Sequence, residues 1–205
     1  MPFLKDFIIN KYTKIKLWKV KLGELDFNIL NEDDTDLLKL RKKQLAKEQF
    51  LAVRKTLQLE NPNLKIIYDK FGRPSLKNSY NISISHSNQI VGIVLSRKNI
   101  IGIDIELPRK KIFDIKNKFL SEEEKKYLGD NPALELLTII WASKESIYKA
   151  LKMNGVVFSK NIQINNVSYL DRHGSGYYEN GDIMINFDLS FFYFKNYIIC
   201  YSEKK

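Results

Sequence analysis

The feature that most constrains the fold is the run Ile101–Glu106, in which isoleucines alternate strictly with glycine and acidic residues. Strict alternation predicts a β-strand, because successive side chains of a strand point to opposite faces. Asp104 and Glu106 therefore share one face of the predicted strand, roughly 6.6 Å apart along it. The isoleucines predict that the other face is covered. The run thus indicates a strand in a sheet that presents two neighbouring carboxylates.

A second segment, Trp141–Lys149, predicts a helix with charged residues on one face. Glu145 and Lys149 are four positions apart, so they are neighbours on its surface. If this helix brought Glu145 to the strand acids, three carboxylates would face one cation, with Lys144 and Lys149 beside them. Such oxygen ligands suit Mg²⁺, with Mn²⁺ as an alternative, holding a phosphate. The competing interpretation is a set of solvated acids and a surface ion pair worth only ~0.3–0.5 kcal/mol.

The rest of the chain predicts helices mixed with antiparallel strands, which is the α+β class. One strand is predicted at 15–20, before the first helix, and a meander of hairpins is predicted at 64–68, 80–86, 89–96 and 100–106. Three further strands are predicted at 162–170, 183–189 and 192–201, with turns at 174–176 and 179–182. Helices are predicted at about 36–59, up to Phe119, at 122–128 with a Ser121/Glu124 capping box, and from Asn131-Pro132 to Gly155. We expect two domains, 1–98 and 99–205.

Charge and cysteine content narrow the class of protein. The formal net charge of +10 indicates an acidic partner such as nucleic acid, anionic lipid, a polyphosphate or an acidic protein. The single cysteine, Cys200, excludes an intramolecular disulfide and is expected to be a buried thiol. We find no apolar run of signal-peptide or membrane-span length, so we expect a cytoplasmic protein.

Three motifs, in this order and spacing, resemble the signature of the 4'-phosphopantetheinyl transferases. The match covers about 71–155, and the first seventy residues match only loosely. The motifs are Phe71-Gly72-Arg73-Pro74 followed by Asn81–Ser87, then Gly102–Glu106, then Trp141–Lys149.

The resemblance implies both a fold and a reaction. The fold is that of the larger, surfactin-synthetase-activating type: two similar subdomains related by a pseudo-twofold, each a long helix on an antiparallel sheet, with the active site in the cleft between them. The implied enzyme is a Mg²⁺-dependent holo-acyl-carrier-protein synthase. It transfers 4'-phosphopantetheine from coenzyme A to a serine of an acidic acyl, peptidyl or polyketide carrier protein and releases adenosine 3',5'-bisphosphate. We expect a monomer that binds neither nucleic acid nor membrane.

The resemblance also implies roles for the acidic and basic residues of the last two motifs. Asp104, Glu106 and Glu145 are expected to bind the metal, and Asp104 also contacts the coenzyme. Glu145 is expected to remove the proton from the acceptor serine, directly or through water. Lys149 is expected to contact the pyrophosphate and to assist catalysis, and Lys144 to line the coenzyme site.

The first motif is expected to form the nucleotide end of the coenzyme A pocket. Its predicted residues are Lys70, Gly72, Arg73, Ser85 and His86. Arg73 stands where the family more commonly has lysine, and its guanidinium can contact a phosphate through two hydrogen bonds. His86 is expected to meet the 3'-phosphate, although a histidine at a strand end is more often a structural hydrogen-bonding residue. Further contacts are expected from the basic face of the 36–59 helix, for which Lys47 and Arg54 are candidates.

Two other functions remain open at the level of the sequence. A nucleic-acid-binding protein would also be basic, but it needs exposed aromatic residues or a recognition helix, and the aromatics here lie in apolar strands. A degenerate relative could bind coenzyme A or a carrier without chemistry, although the acidic and basic residues of the motifs are all present. The identity of the carrier protein is not predicted.

Overall fold

The computed structural model describes residues 3–24, 27–77 and 80–205. The chain forms two compact units, residues 1–98 and 99–205. Helices and antiparallel sheets are mixed in each unit, which confirms the predicted α+β class. Among the described residues, no helix has the length and apolar character that crossing a membrane requires.

The first unit is built on a four-stranded antiparallel sheet in the order β1-β2-β6-β5. Apolar residues of the second helix, such as Ala52 and Leu57, pack with Trp18, Ile93 and Leu95 of the sheet to form its core. The elements are β1 (Phe3–Asn10), β2 (Thr13–Lys19), α1 (Glu32–Lys39), α2 (Gln44–Glu60), β3 (Ile66–Tyr68), β4 (Pro74–Leu76), β5 (Asn81–Ser87) and β6 (Ile90–Ser96), with a 3-10 turn at Phe27–Ile29.

The second unit contains a five-stranded antiparallel sheet in the order β7-β11-β10-β9-β8. Its longest helix, α5, packs on β7 and β11 and buries Leu137, Ile140 and Ile147 in the core. The elements are β7 (Ile101–Glu106), α3 (Ile112–Phe119), α4 (Glu122–Leu128), α5 (Leu134–Leu151), α6 (Phe158–Asn161), β8 (Ile162–Ser168), β9 (His173–Asn180), β10 (Ile183–Phe194) and β11 (Tyr197–Lys204).

The predicted helix at 36–59 is two helices. The first starts earlier, because the Asn31 side chain caps it by accepting a hydrogen bond from the Asp34 amide. It ends at Lys39, where the Arg41 guanidinium turns back onto the carbonyl of Leu37. Lys43 is extended, so α2 begins as a separate helix. Spacing of apolar residues alone did not reveal this break.

Three predictions about the strands were wrong. Strand β7 pairs with β11 and opens the second sheet, so it does not continue the hairpins of the first unit. The expected turn at 174–176 is part of β9. Its glycines are needed there because a methyl group at either Gly174 or Gly176 would lie 2.7 Å from a backbone oxygen of β8. Strand β10 also runs on to Phe194, and the turn falls at Lys195, which has a positive φ of 53°.

The helix ends of the second unit were predicted with mixed success. The Ser121 capping box of α4 is confirmed, with Ser121 and Glu124 bonded reciprocally. Helix α5 begins at Leu134, later than the predicted Asn131-Pro132 start, and its last turn closes at Lys152 in the left-handed conformation, before Gly155. Cys200 is 1% exposed on β11, which confirms the predicted buried thiol, and burial raises its pKa.

Candidate active site

Strand β7 and helix α5 meet at Gly102 with almost no space between them. A methyl group at Gly102 would lie 1.8 Å from the carbonyl oxygen of Ser146 and 2.9 Å from the Ser202 hydroxyl. The first distance is far inside any van der Waals contact, so no other residue fits without moving the helix. The close approach brings the part of α5 that carries Glu145 next to the strand that carries the two acids.

Lys149 of α5 forms an ion pair with Asp104 of β7. The ammonium Nζ is 2.5 Å from Asp104 Oδ1, and Asp104 is only 4% exposed. Burying a carboxylate costs several kcal/mol unless a charged partner accompanies it. Lys149 supplies that positive charge across the two motifs, which are 45 positions apart in the sequence.

Glu145 and Glu106 are both partly buried beside other acidic side chains, and the pKa of each is raised. Burial, with the charges of Asp104 and Glu106, raises the pKa of Glu145 to about 7, although Lys149 acts in the opposite direction. Burial and the charge of Asp104 also raise the pKa of Glu106, while Trp141, Lys149 and Arg109 favour its ionised form. The three acids, with Lys149, form one electrostatic unit that we call the carboxylate cluster.

Trp141 contacts the carboxylate cluster directly. Its indole Nε1–H donates a hydrogen bond of 2.9 Å to Glu106 Oε1. The indole ring packs against Phe119 and Phe158, with centroid distances of 5.1 and 5.6 Å. Trp141, Glu145 and Lys149 follow one another at four-residue intervals, so they lie along one face of α5.

The cluster has the donor chemistry of a site for a hard cation. Its candidate ligands are all carboxylate oxygens, and the mutual repulsion of its acids is what a divalent ion would relieve. In the arrangement described, however, no three carboxylate, histidine or cysteine side chains within residues 3–24, 27–77 and 80–205 converge to hold a metal ion. The cation that the structure places on Asp104 is the ammonium of Lys149.

The structure does not bring Lys144 to the carboxylate cluster. Lys144 is fully buried, with its Nζ 2.7 Å from Glu124 Oε2, 3.1 Å from the Phe158 carbonyl and 2.5 Å from the Ile162 carbonyl. These partners use all three of its N–H donors. Burial lowers the pKa of Lys144, and the charge of Glu124 opposes that change. The expectation that Lys144 contacts the coenzyme is therefore not supported, and its contacts link α5 to α4 and β8.

A second candidate site is a cavity of about 260 Å³ in the first unit, which we call the arginine pocket. Arg54 of α2 lies 3.4 Å above the Phe50 ring and bonds to Asp34 and to the Tyr68 hydroxyl. Arg41 stacks on the same ring at 4.0 Å. Burial and the nearby charge of Arg54 lower the pKa of Arg41, although Tyr68 and Asp34 act in the opposite direction. Two guanidiniums on one ring favour an anionic ligand.

The turn between β3 and β4 supplies one wall of the arginine pocket. Asp69 Oδ1 accepts hydrogen bonds from the amides of Phe71 and Arg73, and Gly72 takes the positive φ of 79° that the turn requires. Gly72 lines the pocket. Arg73 and Lys70 both lie near the Phe71 ring, at 5.1 Å, and Lys70 is exposed. Neither side chain is among those that line the cavity.

Ser85 and His86 lie on opposite faces of β5. His86 is exposed at the end of β5 and lines the arginine pocket together with Ile84. Ser85 is 5% exposed and, as the adjacent residue of a strand, points to the opposite face of the sheet. The pocket therefore combines His86 and Gly72 with the two arginines of the helical region. Arg54 was a candidate from the sequence, and Lys47 does not line the cavity.

Comparison with known protein families decides the class of this protein. The model of the 4'-phosphopantetheinyl transferase superfamily matches residues 100–202, about half of the chain. This chain belongs to the 4'-phosphopantetheinyl transferase superfamily. Its members transfer phosphopantetheine from coenzyme A to carrier proteins, so the predicted transferase class, substrate and kind of partner are confirmed at that level. No curated protein matches the chain.

Within this transferase, sequence reasoning missed two residues that the structure places in its candidate sites. Trp141 had been recognised as part of a motif, but its bond to Glu106 joins residues 35 positions apart and has no sequence signature. Its position four residues before Glu145 was the one available signal. The contact of Arg41 with Phe50 was not predicted, because a continuous helix was expected there and the contact follows the end of α1 at Lys39.

Proposed function

We propose that this protein transfers 4'-phosphopantetheine from coenzyme A to a serine of an acyl, peptidyl or polyketide carrier protein, as a transferase of the larger, two-subdomain type. The single observation that carries the proposal is that Asp104, Glu145 and Lys149 come together from two distant motifs inside the matched region. A cytoplasmic location, a monomeric state and a pseudo-twofold relation between the units remain predictions.

The proposed reaction is a displacement at the β-phosphorus of coenzyme A. The serine oxygen forms a bond to that phosphorus as its bond to the bridging pyrophosphate oxygen breaks. Adenosine 3',5'-bisphosphate leaves with the bonding electron pair, and the serine proton passes to Glu145, directly or through water. The charge of a bound Mg²⁺ would keep Glu145 ionised, and a general base must be ionised to accept that proton.

Lys149 is the residue we propose to stabilise the leaving pyrophosphate oxygen. Phosphoryl transfer needs positioned positive charge more than covalent help from the protein. The Lys149 side chain is 27% exposed, so its ammonium is accessible to a phosphate, while its partner Asp104 is buried. We propose that the ammonium contacts Asp104 in the absence of substrate and the pyrophosphate when coenzyme A is present.

We propose that Asp104, Glu106 and Glu145 hold Mg²⁺, with Mn²⁺ as a substitute. Their carboxylate oxygens are the ligands that these ions prefer. When bound, the ion would neutralise the charge that develops on the pyrophosphate. Burial, together with the charges of the neighbouring acids, raises the pKa values of Glu106 and Glu145, and a divalent ion would offset those neighbouring negative charges.

We propose that the arginine pocket receives the 3'-phosphate and nucleotide end of coenzyme A. Arg41, Arg54 and His86 offer donors for the phosphate, and the half-buried Tyr68 ring offers apolar surface for the base. Gly72 allows close approach at the turn. We assign Lys70 and Arg73 a secondary role at the rim, and Ser85 a structural role beneath His86.

Intact mass spectrometry of an apo carrier protein tests the proposed function. The carrier is incubated with this protein, coenzyme A and Mg²⁺, with and without a chelator. We expect a gain of one phosphopantetheine group that the chelator abolishes. The Glu145→Gln variant should give no gain, whereas Glu123→Gln, the same change at an exposed position of α4, should behave as wild type.

The mass measurement, together with binding assays for coenzyme A and DNA, separates the alternatives. No gain with several carriers, together with measurable coenzyme A binding, would identify a relative that binds without catalysis. Salt-dependent DNA binding without coenzyme A binding would favour the nucleic-acid alternative. A gain that persists in the chelator would refute the metal assignment while keeping the transfer reaction.

A further inference from the structure

Trp141 is the residue next to the carboxylate cluster that the proposed reaction leaves without a role. Its Nε1–H lies 2.9 Å from Glu106 Oε1, and its ring is partly buried between Phe119 and Phe158. Phe119 is fully buried at the end of α3, and Phe158 belongs to α6. The indole therefore contacts rings from two other helices, α3 and α6, and its N–H donates to a proposed metal ligand.

The chemistry of the indole suits it to orient a carboxylate without neutralising it. An indole N–H is a donor only and carries no charge, so it engages one oxygen of Glu106 and adds no positive charge of its own. Asp104, by contrast, is engaged by the ammonium of Lys149. The two strand acids are thus held in different ways: Asp104 by a cation, and Glu106 by a neutral donor fixed in an aromatic stack.

We propose that Trp141 is a positioning residue that holds Glu106 in the orientation required to bind the divalent metal ion. The inference rests on the proposed role of Glu106 as a metal ligand. Groups that hydrogen-bond metal ligands from behind fix the orientation of those ligands, and their loss typically lowers metal affinity ten- to a hundredfold. Trp141 stands in that relation to Glu106, and the aromatic stack keeps its donor in place.

Binding of Mn²⁺ to the full-length chain, followed by electron paramagnetic resonance of the free ion, tests this inference. Trp141→Phe removes the N–H and keeps an aromatic ring in the stack, and we expect it to weaken Mn²⁺ binding about tenfold. Phe158→Leu is the matched control, because it disturbs the same stack and keeps the indole donor. It should lower the Mn²⁺ affinity by less than Trp141→Phe does, and urea unfolding should show both variants folded.

Two further variants separate the hydrogen bond from the packing. Trp141→His restores a ring N–H in a smaller ring and should recover part of the affinity lost in Trp141→Phe. In a Glu106→Gln background, Trp141→Phe should cause little further loss, because the carboxylate that Trp141 orients is already gone.

Three results would overturn the inference: wild-type affinity in Trp141→Phe, an equal loss in Phe158→Leu, or no recovery in Trp141→His. A failure of the proposed function is distinguishable. If the wild-type chain modifies a carrier and binds Mn²⁺ but Trp141→Phe changes neither, only the positioning role is refuted. If the wild-type chain neither binds Mn²⁺ nor modifies a carrier, the metal site itself is refuted.

Discussion

Replacing Glu145 with glutamine should stabilise the metal-free protein at alkaline pH. Burial and the charges of Asp104 and Glu106 raise the pKa of Glu145 from an ordinary 4.5 to about 7 in the folded state. A carboxyl with a raised folded-state pKa contributes most stability when it is protonated in both states, below about pH 4.5. That contribution is lost as the pH rises through 7, because the folded state must then carry a charge that the unfolded state accommodates in water.

The size of the effect follows from that difference in pKa. A pKa change from 4.5 to about 7 corresponds to about 3 kcal/mol, accumulating at ~1.4 kcal/mol per pH unit between these values. Glu145 is only partly buried, and solvent screening reduces the figure, so we expect about 2 kcal/mol. Glutamine has a similar shape and no charge. The Glu145→Gln variant should therefore match the wild type near pH 4 and exceed its stability by about 2 kcal/mol at pH 8.

Urea unfolding in the presence of a chelator, at several values between pH 4 and pH 8.5, measures this difference. The matched control is Glu123→Gln, an exposed acid on α4, for which we expect less than about 0.5 kcal/mol at every pH. A stability difference for Glu145→Gln that does not change with pH would refute the reasoning. So would a variant that is less stable than the wild type at pH 8.

Three other substitutions test neighbouring features. Gly102→Ala should cost about 3 kcal/mol or more in urea unfolding, because its methyl would clash with a backbone oxygen of α5, which cannot rotate out of the way as a side chain could. Near-wild-type stability would contradict the close approach. Lys144→Met should cost about 3–5 kcal/mol by leaving Glu124 buried without its cation, and adding Glu124→Gln should recover part of the loss; an unchanged melting temperature would argue against the buried pair. Lys110→Glu should raise KM for an acidic carrier and leave KM for coenzyme A unchanged, because Lys110 is exposed in the basic segment that follows β7; equal changes in both constants would speak against carrier contact.

Local patterns predicted the parts of the fold that depend on local geometry. The alternation predicted β7 to within one residue at its start and correctly at its end, and Ser121 with Glu124 predicted the start of α4. Strand pairing was less predictable. Glycines at 174 and 176 were interpreted as a turn because glycine is common in turns, but the reason for them is the close backbone of β8. The break between α1 and α2 depends on a contact of Arg41 that apolar spacing does not encode.

The candidate site was likewise predictable only where local spacing determines it. Spacing showed that Glu145 and Lys149 share a face of a helix, and that Asp104 and Glu106 share a face of a strand. It did not show which atoms would meet. Lys144 and Lys149 are both lysines of one motif, yet one is enclosed by Glu124 and two carbonyls and the other is partly exposed beside Asp104. The difference arises because the two side chains point in different directions from α5: Lys144 towards α4 and β8, and Lys149 towards β7.

The enclosed Lys144 has a consequence for how this part of the molecule opens. Glu124 accepts hydrogen bonds from both the Lys144 ammonium and the Ile164 amide, so one carboxylate joins α4, α5 and β8. None of these elements can detach alone without leaving a charge or a polar group unpaired in the interior. We therefore expect their amide protons to exchange with solvent in a single cooperative event. The helix that presents Glu145 would then be as slow to fray as the sheet behind it, and its acid would keep its place between turnovers.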